Sequence, residues 1–159
     1  MTETNTKQVA FSCPSTFLAF GGGSGLAPVA PGTFGTIAAL LPFFLLIQLP
    51  PLWYLLAVVA AFFYGITICQ ITTDKLGVQD HGGIVWDEFV GLWIALFLVP
   101  LTWYWIAAGF ILFRFFDILK PYPISWLDKK VHGGLGIMLD DVVAGIYAWL
   151  ILQLLIKIL

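Results

Sequence analysis

Long apolar runs separated by short polar segments dominate this chain. The runs cover residues 34–49, 52–72, 89–113 and 142–159, and the first is interrupted by Pro42. At a rise of about 1.5 Å per residue, the second run is long enough to cross a hydrocarbon core of about 30 Å as a helix. The pattern therefore predicts an all-α protein whose helices lie in a membrane.

The third run, residues 89–113, carries no charge and allows two interpretations. It is either one long tilted span or two short helices folded back at Pro100, with Trp103, Tyr104 and Trp105 in the far interface. Folding back places 15 of the 16 charged residues on one membrane face and leaves only Lys157 opposite. The excess of Lys and Arg in cytoplasmic segments favours this second topology. We therefore expect a compact bundle of about five short transmembrane or re-entrant helices, with its polar site on the cytoplasmic face.

Composition supports a membrane location. Hydrophobic residues make up 60% of the chain, charged residues 10%, and the mean hydropathy is +0.98. Soluble domains carry about 25% charged residues, so this chain has too little polar surface for solution. At 159 residues we expect a single domain, 1–159, with residues 1–12 as a flexible polar tail and no cleaved signal peptide. The two cysteines, Cys13 and Cys69, form no disulfide framework.

A polar island at residues 114–141 interrupts the apolar sequence. Arg114, Asp117 and Lys120 step by three, so one helical face can carry all of them. The prolines at 121 and 123 predict the end of that helix, and the glycines after His132 predict a loose link to the last apolar run. Eight of the 16 charged residues lie in this island: Arg114, Asp117, Lys120, Asp128, Lys129, Lys130, Asp140 and Asp141.

Two acidic doublets, Asp87-Glu88 and Asp140-Asp141, each stand where an apolar helix is predicted to begin. Either doublet alone is explained as a helix cap that suits the helix dipole. Two doublets at one membrane depth, with Asp117 as a fifth carboxylate, would repel one another unless a cation lies among them. Oxygen ligands of this kind suit Mg²⁺. Asp80 is a further metal or base candidate, and the two isolated histidines form no zinc set.

Two cations and two glycines complete the candidate site. Arg114 and Lys120 either anchor the cytoplasmic face or bind phosphate oxygens. Gly91 follows Asp87 by four residues and Gly145 follows Asp141 by four, so each glycine lies one turn below an acid. Small residues of this kind are common in membrane helix packing, and here they would also bring the two doublets together.

The chain resembles the phosphatidylglycerophosphatase A family of bacterial inner-membrane lipid phosphatases. The resemblance covers about residues 21–145 and is carried by four ordered stretches: GSGLAPVAPGTFGT (23–36), VWDEFVG (85–91), FRFFDILKPYPI (113–124) and GLGIMLDDVVAG (134–145). It implies a Mg²⁺-dependent phosphomonoesterase of the cytoplasmic membrane. Its substrate would be phosphatidylglycerol phosphate, and we expect this lipid and no nucleic acid as a partner.

The resemblance and the residues together give a hypothesis for each side chain. Asp87, Glu88, Asp140 and Asp141 hold Mg²⁺, and Asp87, Glu88, Asp117 and Asp141 are the catalytic candidates. Arg114, Lys120 and Thr36 are the candidates for binding the substrate phosphate. Water is the expected nucleophile, with a phospho-aspartate route left open. The alternative from another class is a small membrane transporter or ion-binding protein that uses the same acidic cluster.

Overall fold

A computed structural model describes residues 3–79 and 81–158, and every regular element in these residues is helical. Asp80, the further metal or base candidate, lies outside the described residues. The all-α prediction is confirmed for the described ranges. The elements are α1 Glu3–Ala10, α2 Pro14–Ala19, a 3₁₀ segment Gly21–Leu26, α3 Pro31–Ala38, α4 Leu40–Leu46, α5 Pro51–Leu76, α6 Trp86–Ala95, α7 Trp103–Leu119, α8 Ile124–Lys130 and α9 Gly133–Ile158.

Two helices, α5 and α9, are long and apolar enough to cross a membrane. Each has 26 residues and is therefore about 39 Å long. The outer face of α5 exposes large apolar side chains, such as Leu52, Trp53 and Phe63, each more than 60% exposed. An exposed apolar surface of this kind is favourable in contact with lipid, whereas its exposure to water costs free energy. The structure thus agrees with a membrane protein, and which of the shorter helices cross the bilayer stays a prediction.

The apolar run 89–113 forms two helices and not one. Helix α6 ends at Ala95, Leu98 adopts a left-handed backbone with φ of 56°, and α7 begins at Trp103. The fold-back therefore lies in the segment that contains Pro100, as the sequence predicts. Its backbone is tied to α9, because Trp149 Nε1 and Gln153 Nε2 donate hydrogen bonds of 2.9 and 3.2 Å to the carbonyl of Phe97.

The N-terminal segment differs from the predicted flexible tail. Residues 3–10 form α1, and Ala10 is fully buried, with its carbonyl accepting a hydrogen bond from the Thr16 hydroxyl. Lys75 at the end of α5 lies 3.1 Å from the Cys13 sulfur. Hydrogen bonds from Thr16, and then from Lys75, lower the pKa of the Cys13 thiol to about 6. The junction between α1 and α2 is thus docked on the C-terminal end of α5.

Helix α9 begins at Gly133, seven residues before the Asp140-Asp141 doublet. The expectation that this doublet opens the helix, after a loose glycine link, is wrong. The glycines belong to the helix because they let it lie against α5: a Cβ on Gly134 would stand 2.0 Å from the carbonyl oxygen of Ile66. The Gln70 side chain then accepts a 2.8 Å hydrogen bond from the Gly134 amide.

Helices α6 and α9 cross in close contact at Gly91 and Gly145. A Cβ on Gly145 would stand 2.4 Å from the carbonyl oxygen of Gly91, and a Cβ on Gly91 would stand 2.9 Å from that of Asp141. No side chain larger than hydrogen fits at either position without moving a backbone. The close approach predicted from the two Asp-to-Gly spacings is confirmed.

We expect Gly145→Ala to destabilise the protein by about 1–3 kcal/mol, the usual cost of overpacking, because backbone atoms cannot rotate away. The measurement is thermal unfolding in detergent. Gly109→Ala is the matched control, since its Cβ would first meet the end of the Leu96 side chain, which can change rotamer. Equal stability of the two variants would contradict a rigid contact between α6 and α9.

Candidate active site

Five carboxylates collect on one side of the crossing between α6 and α9. Asp87 and Glu88 stand in the first turn of α6, Asp117 is in the last turn of α7, and Asp140 and Asp141 lie inside α9. Glu88, Asp140 and Asp141 are only 8%, 8% and 2% exposed. The Asp141 carboxylate lies within electrostatic range of the other four. The structure therefore brings together all five acids that the sequence singled out.

Arg114 on α7 joins two of these acids from different helices. Its Nη1 donates to Glu88 Oε1 at 3.1 Å and also to Asp117, one turn further along α7. The predicted helical face is therefore real for Arg114 and Asp117. The Arg114 Nε is buried and makes no hydrogen bond within the described residues. This N–H could donate a hydrogen bond to a phosphate oxygen.

Lys120 leaves the face that Arg114 and Asp117 share, because it ends α7 with a left-handed backbone. Its Nζ lies 2.7 Å from Asp128 on α8 and 2.7 Å from Asp140 on α9. Partial burial opposes the charge on Lys120, but the hydrogen bonds to Asp128 and Asp140 outweigh it and raise the lysine pKa above its ordinary value. Lys120 thus stays cationic and ties the polar island to α9. Sequence reasoning did not assign Asp128 to this network.

Four of the acids retain a buried oxygen without a hydrogen-bond partner in the described residues. These atoms are Asp87 Oδ1, Glu88 Oε2, Asp140 Oδ1 and Asp141 Oδ2. Buried polar atoms are rarely left unsatisfied, and several together point to an ion or water. The five acids also outnumber Arg114 and Lys120, the two cations paired with them. The donor set is therefore chemically suited to a hard divalent cation.

The carboxylates do not form a closed cage. Across residues 3–79 and 81–158, no three His, Cys, Asp or Glu side chains are grouped as a ready metal site. A Mg²⁺ site does not need such a group of three side chains. Mg²⁺ is usually held by one or two carboxylates and completes its coordination with water or substrate phosphate. The residues therefore fit Mg²⁺ with water among its ligands, and not a metal ion coordinated entirely by protein side chains.

Helix α3 packs against the site at Glu88. A Cβ on Gly32 would stand 2.2 Å from Glu88 Oε1, and a Cβ on Gly35 would stand 2.4 Å from Glu88 Oε2. Ala30 precedes α3 in a left-handed conformation, with φ of 48°, which is uncommon for a residue other than glycine. The two glycines let the first turns of α3 lie directly on the Glu88 carboxylate.

Comparison with known proteins gives the family. The chain matches the family described as Phosphatidylglycerophosphatase A over residues 17–156. It belongs to the phosphatidylglycerophosphatase A family. It is 49% identical to Phosphatidylglycerophosphatase A of Escherichia coli (strain K12) over 140 residues, covering 87% of this chain and 81% of that protein. It is 51% identical to Phosphatidylglycerophosphatase A of Haemophilus influenzae over 151 residues, covering 93% of each.

A third relative carries another substrate in its name. A Bacteroides thetaiotaomicron protein, 41% identical over 140 residues and matched across 83% of this chain and 87% of its own, is provisionally named as a phosphatidylinositol-3-phosphatase. No solved structure matches the chain. The chain is a phosphatase of the phosphatidylglycerophosphatase A family, and the resemblance noted in the sequence is confirmed.

Within this family member, the structure separates the predicted site residues into two groups. The five acids, Arg114 and Lys120 form one connected set. Thr36, the third phosphate candidate, is fully buried, and its hydroxyl donates a 2.8 Å hydrogen bond to the carbonyl of Gly32 on its own helix. Thr36 therefore supports α3 beneath the site, and whether it also binds phosphate stays a prediction.

The sequence reasoning missed the contacts of Gly32 and Gly35 with Glu88. The signal available in the sequence is the three-residue spacing of the two glycines in the stretch PGTFGT. In the structure this stretch is helical, and Gly32 and Gly35, three residues apart, lie on one face of α3.

Proposed function

We propose that this chain is a Mg²⁺-dependent lipid phosphomonoesterase, hydrolysing phosphatidylglycerol phosphate to phosphatidylglycerol and inorganic phosphate in glycerophospholipid synthesis. The observation that carries the proposal is the set of four carboxylates, each with a buried oxygen that has no partner in the described residues, beside Arg114. In metal-dependent hydrolysis of a phosphate monoester, a divalent cation and fixed donors stabilise charge on the phosphoryl oxygens, and this set supplies positions for both. The names of the two relatives from Escherichia coli and Haemophilus influenzae support the lipid substrate.

Asp87, Glu88, Asp140 and Asp141 are the residues that would hold Mg²⁺, directly or through water. When bound, this ion would neutralise negative charge on the phosphoryl group. The α6–α9 crossing keeps the two doublets together, because the backbones of the two helices are in close contact at Gly91 and Gly145. The contact of Gly32 and Gly35 with Glu88 excludes bulk water from one side of the carboxylates.

Arg114 and Lys120 bind and orient the phosphate. Each cation is held in place by two carboxylates, so neither side chain must be ordered when the substrate arrives. The unpartnered Arg114 Nε provides one further donor for a phosphoryl oxygen. Thr36 is retained as a phosphate candidate through its hydroxyl oxygen.

Asp117 orients the attacking water or serves as a further ligand. In hydrolysis the water oxygen bonds to phosphorus and gives up a proton, the bond from phosphorus to the glycerol oxygen breaks, and that proton passes through a carboxylate to the departing alkoxide. A carboxylate held by Arg114 is suited to fixing a water by hydrogen bond. Cys69 is fully buried against Met138 and contributes no thiolate here.

The site lies on the cytoplasmic face of a multi-pass protein in the bacterial cytoplasmic membrane. Most charged residues belong to the segments that contain the site, which the excess of Lys and Arg assigns to the cytoplasm. The diacylglycerol tails stay in the bilayer while the terminal phosphate reaches the carboxylates in the first turn of α6, in the last turn of α7 and about two turns into α9. A transporter would instead be expected to keep its acids near the middle of the membrane.

We expect Asp87→Asn and Asp141→Asn each to reduce phosphate release from phosphatidylglycerol phosphate more than about 100-fold, exceeding the loss typical for residues that only support a metal ligand. EDTA should abolish wild-type activity, and Mg²⁺ should restore it. Asp74→Asn is the matched control, because this exposed carboxylate lies on α5 and accepts a hydrogen bond from Gln70. Full activity in both site variants, with unchanged unfolding temperature, would refute the assignment.

The topology is tested with single cysteines at Val78, Leu101 and Lys130, all exposed, in a chain carrying Cys13→Ser. A membrane-impermeant maleimide should label positions 78 and 130 in inverted vesicles and position 101 in intact spheroplasts. Labelling of 78 and 130 from opposite compartments would contradict a shared cytoplasmic site.

A further inference from the structure

A cavity adjoins the first turn of α3, next to the candidate active site. Its volume is about 410 Å³, and its lining includes Lys7, Gly25, Pro31, His81 and Gly83. Pockets for small ligands commonly measure about 300–1,000 Å³, so a polar lipid head group fits inside. None of the residues in the catalytic hypothesis above lines this cavity.

The wall of the cavity is built by close backbone packing. A Cβ on Gly25 would stand 2.0 Å from the carbonyl oxygen of Gly83, and a Cβ on Gly83 would stand 2.9 Å from that of Gly25. The 3₁₀ segment and the loop before α6 therefore meet backbone to backbone. Such contacts leave little freedom, so the cavity exists before any ligand arrives.

His81 presents one defined nitrogen to a ligand. The backbone amide of Gly83 donates a 3.0 Å hydrogen bond to His81 Nδ1, so Nδ1 is the acceptor of the neutral ring. The proton of the neutral imidazole is then on Nε2, which makes Nε2 a hydrogen-bond donor. Lys7 lines the same cavity and contributes a positive charge. A donor and a cation in one cavity suit an anionic oxygen.

The cavity adjoins the carboxylate set through consecutive residues. Pro31 lines the cavity, and Gly32, the next residue, packs against Glu88 and Arg114. A head group with its terminal phosphate at Arg114 can therefore extend past this turn of α3. In phosphatidylglycerol phosphate, a second and also anionic phosphate lies three carbons from the terminal one.

We propose that this cavity binds the phosphodiester of the lipid head group, with Lys7 and His81 as its specificity-determining residues. The proposal rests on the proposed function, because it takes the terminal phosphate to lie at the carboxylate set. The stretch before α3, residues 21–30, is rich in glycine and has no ionisable side chain. In this proposal its role is to shape the wall between the two phosphates. Phosphate monoesters without a second phosphate would not use the cavity.

The test compares kcat/KM for phosphatidylglycerol phosphate and for phosphatidic acid, which has only the monoester. We expect Lys7→Ala combined with His81→Ala to lower the value about 10–100-fold for the first lipid, the range for lost hydrogen bonds to a charged group, and to leave the second unchanged. Lys7→Arg and His81→Gln should restore activity, since they keep the cation and a donor near the Nε2 position. Lys130→Ala is the matched control for loss of a surface cation.

A competition experiment separates a lipid phosphodiester from free phosphate as the occupant. Glycerophosphoglycerol should inhibit wild-type enzyme and lose about 10-fold or more in potency against the double variant, as expected for a lost charge-assisted hydrogen bond, whereas inhibition by inorganic phosphate should not change. If wild-type enzyme does not hydrolyse phosphatidic acid, the competition experiment alone decides whether the cavity binds the phosphodiester. Equal losses with both lipids, or weaker inhibition by inorganic phosphate alone, would overturn the proposal. Wild-type enzyme that releases no phosphate from phosphatidylglycerol phosphate would overturn the proposed function instead.

Discussion

The site depends on the backbone contact between α6 and α9. At Gly91 and Gly145 the two helices approach so closely that a single methyl group would collide with a carbonyl oxygen. Asp87 and Asp141 each precede one of these glycines by four residues, so the crossing fixes the acids one helical turn away from the contact. The Asp87 and Asp141 carboxylates lie within electrostatic range of each other. Two small residues thus determine where two acidic pairs meet.

Burial of these acids has an electrostatic cost that the described residues offset only in part. Arg114 pairs with Glu88 and Asp117, and Lys120 pairs with Asp128 and Asp140. Four buried carboxylate oxygens remain without a partner. Charges in a membrane protein are kept where they serve function, and unpaired buried charge is strongly destabilising. A bound divalent cation would satisfy these oxygens, and a phosphate oxygen would accept a hydrogen bond from the buried Arg114 Nε, which joins the stability of the site to its proposed chemistry.

The sequence was sufficient for features that follow from local spacing. The charge-free run with Pro100 indicated the fold-back, and the matched Asp-to-Gly spacings indicated the helix contact. It was insufficient where tertiary packing overrides local preference. Gly133 and Gly134 look like a flexible link, yet they are helical because α5 lies against them. Residues 3–10 look like part of a flexible polar tail, yet they form a helix whose last residue, Ala10, is fully buried. Gly32 and Gly35 contact Glu88 across more than fifty residues of sequence, and no periodicity in the chain reports such a pair.

The central claim is that carboxylates from α6 and α9 converge on one divalent cation. Electron paramagnetic resonance of Mn²⁺, used in place of Mg²⁺ with detergent-solubilised protein and no lipid substrate, tests it most directly. We expect the wild-type chain to bind Mn²⁺, and we expect Asp87→Asn on α6 and Asp141→Asn on α9 each to weaken that binding, while Asp74→Asn leaves it unchanged. Mn²⁺ binding that survives both site substitutions at wild-type strength would contradict the claim.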